Sequence, residues 1–153
     1  MTDKPIPLVD LDQQPYWEAA RKGELSIQKC KNCGEYVHPP GPGCPWCGSK
    51  SLTWEQIGTE VTGTIYSFIV VYRAVLQSFV NDVPYAVALC DVDKVPGIRI
   101  TANVVNCDYR SVHIGMPVKM VWESRSSDWS IPQWEPRAID NKVNRLQALD
   151  SGM

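Results

Sequence analysis

The sequence has no surplus of basic charge. Fifteen Lys and Arg stand against seventeen Asp and Glu, for a net charge of −2 with histidine neutral. Such a chain gives polyanions little to gather on, so neither nucleic acid nor an anionic membrane is an expected partner. No apolar run approaches the roughly 20 residues of a membrane span. The opening stretch MTDKPIPLVDLDQQ lacks the basic-then-apolar order of a secretory leader. The expected compartment is therefore the cytoplasm, where thiols stay reduced. Histidine is scarce too, limited to His38 and His113. There is no paired His and Cys, no G-x-S-x-G and no phosphate loop. No catalytic residue is expected on this chain.

What the chain does have is cysteine in a pattern. Cys30, Cys33, Cys44 and Cys47 stand as CKNC, ten residues, then CPWC. Each hook fixes two ligand positions, and the short loop brings the hooks face to face. A soft thiolate set selects zinc or iron over harder cations. Gly34 and Gly48 follow the hooks. A glycine there lets the backbone turn back and aim N–H groups at the sulfurs. Four thiolates fill a tetrahedron and leave no position for water, so the expected metal is structural Zn2+. His38 is a ligand type, but the site is full without it. Lys29, Lys31 and Lys50 flank the hooks and would offset the charge of a zinc tetrathiolate. Cys90 reads as a small core residue and Cys107 as a turn residue.

The rest of the chain divides around this centre. Residues 1–25 read as an extended arm and a short helix, with Pro15 in its first turn and Gly23 at its stop. Tyr16, Trp17 and Ala20 give that helix an apolar face. Residues 26–53 read as the zinc ribbon. Residues 54–138 carry five strands: 61–72, 83–92, 97–105, 113–123 and a short last one at 134–138. In VPYAVALCDV large residues alternate with the small Ala86, Ala88 and Cys90, which suits a tight barrel interior. In GIRITANVV, Ile98, Ile100, Ala102 and Val104 face in, and Arg99, Thr101 and Asn103 face out. The fold class is mainly β: helix and ribbon, then a five-stranded OB-fold barrel. Residues 139–153 form a polar tail with Val143, Leu146 and Leu149 at helical spacing.

Several segments together carry a family pattern: YWEAARKGEL, CKNCGEYVHPP, CPWCGS, then LTWEQIGTEVTGTIYSFIVVYR, VPYAVALCDVD and IGMPVKMVWE. In this the chain closely resembles the domain-of-unknown-function-35 family, a rubredoxin-like zinc ribbon followed by an OB-fold. The resemblance covers about residues 13–138. Gly41 departs from it, standing where Arg is expected after the two prolines. The resemblance implies a small non-catalytic subunit, associated with acyl-CoA, that pairs with a thiolase-superfamily large subunit. Such complexes act as thiolases, steroid-type aldolases or acyltransferases, and the reacting groups belong to the large partner. A heterotetramer is the implied assembly. CoA phosphates would need cations, and Lys31 and Arg73 are singled out among Lys29, Lys31, Arg73, Arg99 and Arg110. Trp46, within the second hook, and Trp129, in the polar stretch RSSDWSIPQW, are the candidate interface anchors.

Two other readings remain open at this level. Zinc ribbons and OB-folds both bind single-stranded nucleic acid, and Tyr66, Phe68 and Tyr72 would be its stacking residues. Iron in the thiolate site would make an electron carrier, although the ten-residue gap is much shorter than rubredoxin's. Colour separates the metals: a zinc thiolate is colourless and a ferric one red.

Overall fold

Pro15 and Gly23 bracket the first element as their chemistry requires. Proline needs no N–H at a helix start, and Gly23 takes a φ of +73° just past the end. Helix α1 runs from Gln14 to Arg21 with Pro15 inside its first turn; Tyr16, Ala19 and Ala20 are buried and Trp17 is half-buried. A computed structural model describes residues 4–139 of the chain. The polar tail that carries Val143, Leu146 and Leu149 at helical spacing lies outside the described residues from 140 onward.

Among the described residues, eight strands follow α1. The first sheet holds β1 (Leu25–Cys30), β2 (Tyr36–Val37) and β3 (Leu52–Gly58), in the order β2-β1-β3, all antiparallel. Leu25 and Ile27 are fully buried at its centre. Burial of such side chains contributes about 1.5–3 kcal/mol each. β3 pairs with β1 along its length, so residues 52–58 complete the ribbon's sheet and lead into the barrel.

The barrel is closed, in the order β4-β5-β6-β8-β7, from β4 (Thr62–Val71), β5 (Tyr85–Val92), β6 (Arg99–Val104), β7 (Pro117–Ser126) and β8 (Trp129–Pro136). This is the five-stranded arrangement of an OB-fold. The alternation in β5 sorts as its side-chain sizes demand: Ala86, Ala88 and Cys90 are buried, while Tyr85, Val87 and Leu89 are half-buried. In β6, Ile100, Ala102 and Val104 face the core and Arg99 and Thr101 face out. Trp134 is fully buried and donates its indole N–H to the Ile100 carbonyl at 3.1 Å, so its one polar atom is satisfied. Closure runs through a parallel contact of Val104 with Trp134, reinforced by the Val105 N–H on the Trp134 carbonyl at 2.7 Å.

The last strand is longer than the sequence implies. It starts at Trp129, not Trp134, and forms an antiparallel hairpin with β7 through a two-residue turn at Ser127 and Asp128. The polar stretch RSSDWS is thus strand on both sides of a tight turn. Trp129 is not an exposed loop residue either. It is half-buried, edge-on to Trp17 with ring centroids 6.0 Å apart.

Candidate metal centre and its surroundings

β1 delivers Cys30 as its last residue, and β2 returns the chain behind Cys33. The two hooks have matching backbones. Gly34 and Gly48 both take positive φ, +79° and +75°, and donate their N–H groups to the carbonyls of Cys30 and Cys44 at 3.0 and 2.9 Å. Those turns also aim donors at sulfur: the Cys33 N–H lies 3.5 Å from Cys30 Sγ, and the Asn32 amide lies 3.5 Å from Cys47 Sγ. Cys30 and Cys44 are buried beside Val37, while Cys33 and Cys47 form the exposed side.

All four Sγ atoms lie within 4.8 Å of one another. Cys30 to Cys47 and Cys33 to Cys44 are each 3.6 Å, too long for a disulfide. A zinc tetrathiolate with bonds of about 2.3 Å places its sulfurs about 3.8 Å apart. The donor set and its spacing therefore fit that ion.

Hydrogen bonds around the hooks favour the thiolate at two of the four sulfurs, Cys30 and Cys47. The Asn32 amide, then the Ser49 backbone N–H, lower Cys47 to about 6. The Cys33 backbone N–H holds Cys30 below the ordinary thiol range. At Cys33 the Glu35 backbone N–H acts downward, but burial and hydrogen bonding with the other thiols outweigh it and push the group up to about 12. Without a metal, thiolates this close cannot all ionise; a divalent cation removes the conflict.

Around this cluster the expected residues are distributed unevenly. Trp46 stands out at 70% exposed. Lys31 and Arg73 are exposed, on the first hook and just after β4 respectively. Lys29 is bound to Glu55 at 3.0 Å and lies over the Tyr36 ring, while Tyr36 donates to the same Glu55 at 2.9 Å. Arg99 is held by Asp91 at 2.8 Å and covers the Tyr66 ring at 3.5 Å. Tyr72 meets Tyr109 edge-on at 5.9 Å, and Phe68 is half-buried, so the three aromatics do not share one open face. Gly41, where the family pattern leads one to expect Arg, serves through its backbone. Its N–H and carbonyl make two 3.0 Å hydrogen bonds with the buried Gln28 amide.

Two features escape sequence reasoning. One is a run of exposed apolar side chains on β4 and the segment after it: Tyr66, Ile69, Tyr72, Val75, Leu76 and Val80. The apolar pattern of 61–72 was visible, but not that Tyr66, Ile69 and Tyr72 within it face water. A register shift at Tyr66, between Ile65 and Ser67, changes which side chains point inward. The other is a cavity where α1, the ribbon and the barrel meet, lined by His38 and Arg125.

Comparisons with known proteins follow the same division. Residues 17–53 match the family described as the rubredoxin-like zinc ribbon domain of ChsH2, and residues 54–123 match the C-terminal OB-fold domain of ChsH2. A probable enoyl-CoA hydratase alpha subunit of Thermomonospora curvata is 35% identical over 133 residues, 87% of this chain. The chain spans only 40% of that relative's length. A DUF35 domain-containing scaffold protein of Methanocaldococcus jannaschii is 34% identical over 100 residues, 65% of this chain and 68% of the relative. A solved structure described as the Ltp2-ChsH2(DUF35) aldolase superposes with a TM-score of 0.74 at 34% identity, covering 86% of this chain and 98% of the other. No described helix is long and apolar enough to cross a membrane. With its ribbon, its barrel and a scaffold relative matched over most of that relative's length, the chain belongs to the DUF35 family.

Proposed function

We propose that this chain is a non-catalytic, zinc-containing accessory subunit of a larger enzyme that makes or breaks carbon–carbon bonds of acyl-CoA esters. Cys30, Cys33, Cys44 and Cys47 would hold the zinc, which ties the two hooks together. The observation that carries the reading is the closed cluster itself: four sulfurs within 4.8 Å complete a tetrahedral set and leave no place for substrate. The reacting groups then belong to another chain. Support comes from the relatives, one named as an alpha subunit, one as a scaffold, and one joined with a second component in an aldolase.

The partner we propose is a thiolase-superfamily large subunit in a cytoplasmic heterotetramer. The apolar run from Tyr66 to Val80 is its docking face, with Trp46 as a separate anchor. Exposed apolar side chains in such density mark protein interfaces. Lys31 and Arg73 are the cations this chain offers to CoA phosphates at the complex. Activity of the large subunit on an acyl-CoA substrate, measured with and without this chain, tests the reading. Full activity of the large subunit alone would sink it.

A further inference from the structure

The cavity between α1, the ribbon and the barrel has a volume of about 460 Å³. That is within the usual range of small-molecule sites, about 300–1,000 Å³. Its walls come from five parts of the fold: α1, the residues after β2, the segment before β5, the β5–β6 face and the β7–β8 hairpin. Most of the lining is apolar or aromatic, with Tyr16 and Phe79 on different walls.

Two polar groups in this wall lack partners. The Arg125 side chain is only 10% exposed. Its Nη1 is buried and has no hydrogen-bond partner among the described residues. Its Nε lies 3.0 Å from Glu123 Oε1 but makes no hydrogen bond to it, so this ion pair leaves the guanidinium donors unused. Glu123 accepts a bond from the Gln133 amide at 2.8 Å instead. His38 also lines the cavity, and its Nδ1 is buried and without a hydrogen-bond partner among the described residues. Burial lowers the pKa of His38 to about 4, so the neutral ring can present either an N–H or a lone pair. Buried donors left unpaired are costly, and a guanidinium more than most.

A ligand that meets the Arg125 and His38 side chains from the cavity must bring acceptor oxygens on an apolar body. A planar carboxylate matches the guanidinium edge. A phosphate dianion does not suit the site, because Glu123 already lies beside the one arginine. We propose that this cavity binds a small apolar monocarboxylate, with its carboxylate on Arg125 and His38 and its hydrocarbon against Tyr16 and Phe79. The site goes beyond the accessory role, and its argument does not rest on that role.

Calorimetric titration of the purified full chain with phenylacetate, and with its neutral isostere phenylacetamide, tests the proposal. Phenylacetate should saturate one site, and phenylacetamide should bind at least about tenfold more weakly, a difference of about 1.4 kcal/mol. Arg125→Gln should lose the same factor for phenylacetate and leave phenylacetamide unchanged, with zinc content and circular dichroism as controls of folding. If that variant does not fold, the acid-against-amide comparison on the unaltered chain decides alone. Absence of saturable heat up to about 10 mM phenylacetate would leave only a hydrated cleft and overturn the proposal, and so would equal affinity for acid and amide.

Discussion

Replacing Gly63 with alanine puts one methyl group where the barrel has no room. Gly63 lies in β4, paired on one side with Val92 of β5 and on the other with Val118 of β7. A Cβ there would fall inside contact distance of the Asp91 carbonyl oxygen and 3.4 Å from Cη2 of the buried Trp134. Neither neighbour yields cheaply. The first is backbone within a ladder, and the second is fixed by its bond to the Ile100 carbonyl. Strands β4 and β5 must part, at a cost of about 3 kcal/mol, the upper end for overpacking. For a chain of this size that is a fall in Tm of about 6–12 °C. Thermal unfolding followed by tryptophan fluorescence measures it, with Gly41→Ala as the control. A Cβ at Gly41 meets nothing within 4 Å, so its Tm should stay within about 2 °C of the parent. A Gly63→Ala protein as stable as the control would refute the packing argument.

Three further outcomes follow from the ribbon and the surfaces. Cys44→Ser removes a buried member of the sulfur cluster. Stoichiometric zinc, measured by atomic absorption, should be lost, the ribbon should unfold and partner binding should vanish; unchanged binding would make the ribbon dispensable. Burial lowers the His38 pKa from 6.5 to about 4, so the unfolded chain binds a proton that the folded chain refuses. Stability should then fall as pH drops from about 6.5 to about 4, by at most about 3 kcal/mol, and urea unfolding of His38→Gln should show a flatter profile over that window. Ile69, 64% exposed on β4, should tolerate Asp with little change in Tm, while partner affinity drops at least about tenfold in a pull-down titration.

Local chemistry was legible wherever it depended on spacing. The hooks and their glycines specify a sulfur cluster without help from the rest of the fold. The small residues Ala86, Ala88 and Cys90 announce the barrel interior because only a tight curve needs them. Legibility failed where distant segments meet. RSSDWS looks like a loop because its polar residues flank a two-residue turn, and only pairing with β7 makes it strand. Trp129 loses its exposure to Trp17, more than one hundred residues earlier. His38 and Arg125 are unremarkable in sequence and become a site only once α1 and the ribbon pack beside the β7–β8 hairpin. The face of β4 that stays wet depends on a register shift that no residue pattern encodes.

The central claim is that this chain acts as part of a larger enzyme. Co-expression with a candidate large subunit of the thiolase superfamily, followed by size-exclusion chromatography with light scattering, tests that most directly. The account predicts one co-eluting, zinc-containing species with the mass of a heterotetramer. Two separate peaks, with the large subunit fully active alone, would contradict it.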